Sequence, residues 1–237
     1  MKSILIHSRI HRRTIILWSM MVFSIGLVVF AFQENVQSES SPLCPCGEVS
    51  VLIRLDERTL YLFADGQVMK QYPIAIGREM TPSPIGEWQI VWKDAGWGEG
   101  FGTRWMGLDV PWGTFGIHGT NRPWSIGKKA SHGCIRMQNH DIEELYACLP
   151  IGTNVKIEGQ IAVAMRELRP MMTGQAVVAL QLRLRELGYL SGRADGRYGK
   201  AVEDAVKRCQ EAYGLAVTGI ADRELLEKMG FRIVQQN

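Results

Sequence analysis

The chain has 237 residues, of which 46% are hydrophobic and 22% are charged, and its formal net charge at pH 7 is +3. This length allows one full hydrophobic core and a smaller module beside it, so two folded units are expected. Charges of both signs are interspersed along the chain, which argues against a nucleic-acid partner.

The N-terminus carries the first predicted element. Residues 14–32, "TIILWSMMVFSIGLVVFAF", are uncharged and mostly apolar, and as a helix they would span roughly 28 Å at 1.5 Å per residue. Basic residues precede this segment and glutamates follow it: Lys2, Arg9, Arg12 and Arg13, then Glu34 and Glu39. The positive-inside rule therefore predicts a signal anchor in the cytoplasmic membrane, with residues 1–13 in the cytoplasm and the rest on the extracellular, cell-wall side. A cleavable signal peptide is the alternative, although "VVFAFQENV" offers no good A-x-A site.

The next segment, residues 33–47, is polar, rich in serine and interrupted by Pro42 and Pro45, which is typical of a tether. It contains Cys44 and Cys46, to which the sequence assigns no role. With further cysteines at 134, 148 and 209 the total is odd, and the spacing is not that of a disulfide framework. At least one thiol is therefore expected to be free.

Residues 48–158 predict a compact, mainly β domain. Apolar residues alternate with more polar ones after Glu48, and "ADGQ" between two β-rich runs indicates a hairpin turn. The segments "GEWQIVW", "FGIHG" and "NVKIEG" are again short and separated by glycine or proline. Only residues 139–149, "NHDIEELYACL", have helical periodicity.

The last part of the chain is helical. After a linker at residues 159–170, apolar residues recur at steps of three and four in three segments of residues 171–230, which predicts a small three-helix domain. These residues are Val177, Leu180, Leu184 and Leu187, then Val202, Ala205, Cys209 and Tyr213, then Leu225, Leu226 and Met229.

Cys134, in "KKASHGCIRM", is the candidate for chemistry. A free thiol outside the cell tends to oxidise, and a cysteine nucleophile needs a neighbouring base or positive charge to react at neutral pH. His132 and His118 are the candidate bases, and Gly133 would leave backbone N–H groups free to bind an oxyanion. Residue types alone leave two alternatives, a structural thiol or a zinc site formed by His118, His132 and Cys134.

The run "GIHGTNRPWSIGKKASHGCIRM" resembles the signature of the L,D-transpeptidases of bacterial cell walls, with a YkuD-type catalytic domain. The resemblance covers about residues 48–158 and implies a β-sandwich-like fold. It implies that Cys134 is the nucleophile, that His118 is its base and that the backbone carbonyl of Gly119 orients the imidazole. Residues of the same motif would line the oxyanion and substrate site: Ser131, His132, Gly133 and Arg136.

The resemblance also implies the reaction. The thiolate would attack a tetrapeptide stem of peptidoglycan, release the terminal D-Ala and form a thioester, which an amine of a second stem resolves into a 3→3 cross-link. No cofactor or metal is implied, and acylation by carbapenems is expected. Attack by water would instead make the protein an L,D-carboxypeptidase. A catalytically silent wall-binding protein is the alternative of another class.

The C-terminal helices resemble the three-helix peptidoglycan-binding module over about residues 171–230. "DGRYG" and "YGLAVTG" match its pattern, whereas Val202 and Cys209 depart from it at positions expected in the core. This implies binding to peptidoglycan, with a spacer that lacks a ligand as the alternative. Together the segments predict a membrane-anchored enzyme that cross-links or remodels the cell wall.

Overall fold

The structure is a computed structural model that describes residue 44 and residues 47–161 and 166–231. These residues belong to one compact unit. The predicted signal anchor at residues 14–32 lies outside the described residues. Within the described ranges, no helix has the length and apolar character needed to cross a bilayer.

The described part of the chain contains ten strands. They are β1 (Val49–Arg54), β2 (Thr59–Ala64), β3 (Gln67–Pro73), β4 (Ile76–Gly77), β5 (Gly86–Asp94), β6 (Trp105–Leu108), β7 (Phe115–His118), β8 (Lys129–Ser131), β9 (Ile135–Arg136) and β10 (Asn154–Glu158). Eight of them form one sheet in the order β3-β2-β1-β10-β5-β6-β7-β9, and β4 pairs with β8. The mainly β prediction for this domain is confirmed.

The hairpin between β2 and β3 shows how local sequence fixes local structure. Its two turn residues, Asp65 and Gly66, have φ values of 48° and 77°. A two-residue turn with positive φ at both positions matches the twist of the flanking strands, and Asp-Gly adopts it readily. The predicted hairpin is therefore present at the predicted position.

The large sheet bends at β5, which pairs with β10 and with β6. The register shifts between Ile90 and Trp92, at a β-bulge or similar irregularity, a feature that bends strands. Both halves of the sheet contribute to one core, with Ile53 and Leu60 from one half and Ile117 and Ile135 from the other. The predicted sandwich-like domain is thus one sheet that curves around its own core.

Four α-helices complete the described fold: α1 (Asn139–Cys148), α2 (Gln175–Glu186), α3 (Lys200–Ala212) and α4 (Arg223–Lys228). Short 3-10 helices occur at Glu99–Phe101 and Pro123–Ser125. Helix α1 is the helix predicted inside the β domain. Helices α2 to α4 surround a second core in which Val202 and Cys209 are 3% and 0% exposed, so both departures from the module's pattern are core residues.

The helical bundle and the β domain share buried surface. Val178 of α2 and Ala194, which follows it, belong to the core cluster of the β domain. Leu168, which the sequence analysis placed in the linker, is buried in the bundle core and pairs with Ala221. The two parts are therefore packed together and do not behave as modules on a free linker.

A disulfide joins Cys44 to Cys148, at the C-terminal end of α1. Their Cα atoms are 4.8 Å apart and their sequence separation is 104. Neither this bond nor any role for Cys44 was predicted from the sequence. Among the described residues, Cys134 and Cys209 are free thiols; Cys46 lies outside the described residues.

Candidate active site

The pairing of β7 with β9 brings the candidate catalytic residues together. The strands are parallel, and their register sets Ile117 beside Ile135 and His118 beside Arg136. Because side chains alternate across a strand, the two isoleucines enter the core while His118 and Arg136 lie on the opposite face. Cys134 directly precedes β9 and lies two residues before Arg136, so it is on the same face as Arg136 and His118.

His118 is held in a fixed orientation. Only 2% of its surface is exposed, and its Nδ1 donates a hydrogen bond to the carbonyl oxygen of Gly119 at 2.5 Å. The contact with Gly119 is the one that the family resemblance implied. Since Nδ1 carries the proton in this bond, Nε2 is left as a proton acceptor.

Aromatic rings enclose the imidazole. The Trp105 ring stacks on it with the centroids 5.3 Å apart and the planes 19° apart, and Phe101 meets it edge-on at 5.0 Å. Trp105 also covers Gly116, where a β-carbon would lie 2.6 Å from Trp105 Cζ2. The apolar enclosure removes water from one side of the base.

Burial sets the charge state of His118. The pKa of the imidazole is lowered from 6.5 to about 4, mainly by burial and in part by the positive charge of Arg136, whereas hydrogen bonds to the backbone of Gly119 and Phe101 raise it. At neutral pH His118 is therefore uncharged and able to accept a proton.

Cys134 is half-buried, and its Sγ lies 4.0 Å from the carbonyl oxygen of Thr114. Burial raises the pKa of the thiol, while a hydrogen bond from the backbone of Gly116 and the charge of Arg136 lower it. The resting site thus pairs a neutral thiol with a neutral imidazole. Two neutral groups of this kind suit general-base catalysis, in which the proton moves during nucleophilic attack.

The turn before Cys134 is organised by Ser131, which is 1% exposed. Its hydroxyl accepts a hydrogen bond from the Gly133 N–H at 3.0 Å and donates one to the carbonyl oxygen of Cys134 at 2.6 Å. Gly133 has φ = 115°, a conformation that favours glycine. His132 is exposed and Gly133 interrupts the extended chain, so the geometry favours His118 as the partner of the thiol.

Arg136 brings positive charge to the site. It is half-buried, and its Nε is buried without a hydrogen-bond partner. Burial lowers the pKa of its guanidinium, and the charges of Arg122 and Arg78 lower it as well. None of these three arginines forms an ion pair within the described residues. The site therefore carries uncompensated positive charge suited to an anionic group of a substrate.

Sequence reasoning missed two residues that shape the site, Trp105 and Asn139. The Asn139 side-chain oxygen accepts a hydrogen bond from the Thr120 N–H at 3.0 Å and touches the backbone of Gly119 closely, where a β-carbon would lie 2.4 Å from it. Asn139 thus fixes the loop after His118 from the start of α1. No local motif marks either residue, because both act through tertiary contacts.

The β domain has a cavity away from this site, and the described residues contain no cluster suited to a metal ion. A cavity of about 510 Å³ lies on the outer face of the sheet, and its lining includes Phe63, Lys156 and Arg193 but none of the predicted catalytic residues. No group of three or more histidine, cysteine, aspartate or glutamate side chains suited to a metal ion occurs among the described residues. The candidate site is therefore defined by the His118 and Cys134 geometry.

The fold and the site define a two-part protein, a mainly β domain with a histidine–cysteine pair and a helical bundle packed on it. Residues 48–157 match the sequence family described as "L,D-transpeptidase catalytic domain" (YkuD). Residues 173–229 match the family described as "Putative peptidoglycan binding domain". "Putative L,D-transpeptidase YqjB" of Bacillus subtilis is 34% identical over an alignment of 139 residues that covers 49% of this chain and 78% of that protein. The chain belongs to the L,D-transpeptidase family.

Other similar proteins share less of their length. "Putative L,D-transpeptidase YkuD" of Bacillus licheniformis is 45% identical over 107 residues, and the match spans 45% of this chain and 64% of that protein. Among solved structures, the Ldtfm-avibactam carbamoyl enzyme is 26% identical with a TM-score of 0.43, over 48% of this chain and 49% of that one. L,D-transpeptidase 3 from Mycobacterium tuberculosis with a faropenem-derived adduct is 18% identical with a TM-score of 0.41. The match covers 47% of this chain and 60% of that one.

Proposed function

We propose that this protein is an L,D-transpeptidase that forms 3→3 cross-links in peptidoglycan through a thioester on Cys134. The observation that carries the proposal is the placement of His118 on the same sheet face as Cys134, with its Nδ1 bonded to the Gly119 carbonyl. That bond holds the imidazole in place and leaves Nε2 as its basic nitrogen.

In the first half of the reaction, His118 Nε2 takes the proton of the Cys134 thiol as the sulfur attacks the carbonyl carbon of the third stem residue. The oxygen of the tetrahedral intermediate is stabilised by the backbone N–H of Cys134, because the Gly133 N–H, which the sequence predicted to be free, is bonded to the Ser131 hydroxyl. The bond to the terminal D-Ala then breaks, the His118 imidazolium gives its proton to the leaving amine, and a thioester remains. Arg136 is placed to attract a carboxylate of the stem.

In the second half, an amine of another stem attacks the thioester, and His118 accepts a proton from it. The new amide is the cross-link, and the thiolate leaves and recovers a proton. Water in place of the amine yields a tripeptide, which is the L,D-carboxypeptidase outcome. We expect the same acylation step to extend to carbapenem-type β-lactams.

We further propose that residues 14–32 anchor the protein in the cytoplasmic membrane, with the catalytic domain on the cell-wall side. The apolar stretch flanked by basic and then acidic residues supports this placement. The match to a peptidoglycan binding domain at residues 173–229 supports the same compartment.

The test is intact mass spectrometry of the full chain incubated with a disaccharide-tetrapeptide, with Cys134→Ala as the matched control. We expect the unchanged protein to carry a covalent adduct with the mass of the substrate minus D-Ala. Cys134→Ala should carry none. The ratio of cross-linked dimer to tripeptide then separates a transpeptidase from a carboxypeptidase. A folded protein with neither adduct nor product would sink the proposal and favour the silent wall-binding alternative.

A further inference from the structure

Trp112 links the helical bundle to the catalytic domain. On the bundle side it lies against Gly196, where a β-carbon would be 2.3 Å from Trp112 Cζ3 and 3.1 Å from Val178 Cγ2. On the other side it meets Trp88 edge-on with the centroids 5.4 Å apart. The indole is therefore enclosed between the bundle and the core of the β domain.

Trp112 is also connected to the turn that carries the nucleophile. Its ring meets the Phe115 ring edge-on at 6.5 Å, a distance within the range of aromatic pairs. Phe115 in turn lies against Gly133, where a β-carbon would be 2.5 Å from Phe115 Cε1. Packing is thus continuous from Gly196 in the bundle to the residue before Cys134.

The bundle side of this path is held by polar contacts. The Glu87 carboxylate accepts hydrogen bonds from Arg185 at 2.7 Å and from the Ala194 N–H at 3.1 Å. Arg193 forms an ion pair with Asp109 at 2.7 Å. Arg193 and Ala194 lie in the loop that leads to Gly196, and both are bonded to carboxylates of the β domain. The loop therefore cannot shift without breaking these contacts.

A second polar contact joins the start of α2 to the sheet. The Gln175 side-chain amide both donates to the Ile85 carbonyl oxygen and accepts from the Ile85 N–H, each at 3.0 Å. A side chain that satisfies both backbone groups of one residue fixes position and orientation together. The bundle is thereby anchored to the sheet at a second place besides the loop to Gly196.

We propose that the helical bundle is a positioning element of the active site, which holds Trp112 and Phe115 against Gly133 and so keeps the oxyanion-binding turn in place. The inference rests on the proposed acyl-transfer function. Its physical basis is that oxyanion stabilisation depends on donor positions, since a displacement of about 1 Å can cost on the order of a hundredfold in rate. Reactions of the thiol that form no oxyanion are free of this requirement.

The experiment compares two reactions of Cys134 in the full chain. Acylation by p-nitrophenyl acetate forms an oxyanion and releases p-nitrophenolate, whereas alkylation by iodoacetamide forms none. Trp112→Ala should slow acylation about tenfold or more and change the alkylation rate by less than about threefold. Trp112→Phe, which keeps a ring beside Phe115 and the fold, should recover part of the acylation rate.

Val202→Ala is the matched control, because Val202 is buried in the bundle's own core and lies outside the path through Trp112. It should leave both rates unchanged at a temperature where all variants are folded. Unchanged acylation in Trp112→Ala, or equal losses in both reactions, would overturn the proposal. A protein that is acylated by p-nitrophenyl acetate but does not turn over the tetrapeptide would count against the proposed function. The comparison of acylation with alkylation would still test the role of the bundle.

Discussion

The two candidate catalytic residues, His118 and Cys134, are both uncharged in a site that is partly shielded from water. Burial lowers the pKa of His118 to about 4 and raises the pKa of the Cys134 thiol, so neither group is charged before substrate arrives. A neutral imidazole beside a neutral thiol suits general-base catalysis, in which the proton moves as the new bond forms. Arg136 offsets the cost of the developing negative charge on sulfur.

The depressed pKa of His118 predicts how stability depends on pH. The unfolded chain binds a proton at this residue near pH 6.5 and the folded protein only near pH 4, so unfolding takes up a proton between these values. The contribution of neutral His118 to the free energy of unfolding is fully present above pH 6.5 and is lost as the pH falls toward 4. The total loss is roughly 3 kcal/mol at most. Denaturant unfolding at several pH values measures it.

His118→Gln is the control for that prediction, since glutamine has no proton to gain. Its free energy of unfolding should change less with pH between 6.5 and 4 than that of the unchanged protein. Parallel curves for the two proteins would show that His118 is not the buried group responsible.

Gly133→Ala should slow acylation of Cys134, because the added β-carbon would lie 2.5 Å from the Phe115 ring and the φ of this residue is 115°. The turn must then shift, and the oxyanion donors shift with it. We expect acylation to fall on the order of a hundredfold. A matched substitution in an open turn, Gly152→Ala, meets no atom within 4 Å and should leave acylation unchanged, although its φ of 92° carries backbone strain. Acylation by p-nitrophenyl acetate measures both variants, and equal rates would contradict the prediction.

Among the secondary-structure elements, short strands do the positioning. Strand β9 has two residues, yet its parallel pairing with β7 sets Arg136 beside His118, and α1 supplies Asn139 to fix the loop after His118. The C-terminal end of α1 is in turn tied to the segment before β1 by the disulfide between Cys44 and Cys148. The site is therefore supported from both ends of this helix.

Removing that disulfide should reduce stability without abolishing the chemistry. The bond closes a loop with a sequence separation of 104, for which chain entropy predicts a loss of about 4.7 kcal/mol in the free energy of unfolding, and removal of a native disulfide typically costs about 2–5 kcal/mol. Cys44→Ser should show this loss by denaturant unfolding and keep its acylation rate below the transition. Reductant should lower the stability of the unchanged protein and leave that of Cys44→Ser unaltered; equal effects on both would contradict the assignment.

At the scale of the whole molecule, the bundle and the β domain form one packed unit. Val178 and Ala194 are buried in the core of the β domain, and Arg185 and Arg193 pair with carboxylates on the sheet. Shared apolar burial of this kind resists separation far more than a flexible tether would. The helical bundle and the domain that carries the candidate site are thus joined in one body.

Deletion of residues 171–237 is expected to have two effects. Sedimentation with isolated sacculi should fall, because the peptidoglycan binding domain is lost. The melting temperature of the remaining β domain should fall as well, because the surface covered by Val178 and Ala194 becomes exposed. Equal sedimentation would favour the spacer interpretation, and an unchanged melting temperature would contradict the shared core.

Much of the fold and of the site was predictable from short stretches of sequence. The Asp65-Gly66 hairpin, helix α1 and the three bundle helices appear where turn chemistry and periodicity placed them. The motif around Cys134 pointed to His118 and to the Gly119 carbonyl. Each of these features depends on residues that are neighbours in the chain or belong to one motif, so local preferences and resemblance suffice to find them.

Other features required the tertiary structure, because they join residues that are far apart in the chain. The pairing of Cys44 with Cys148, the stacking of Trp105 on His118 and the packing of Trp112 against Gly196 leave no periodic or motif signal. The charge states of His118 and Cys134 belong to the same group, since burial sets them and burial exists only in the folded chain. The sequence by itself determined the family, the chemical groups and the elements, whereas the tertiary structure decided their electrostatics and the union of bundle and sheet.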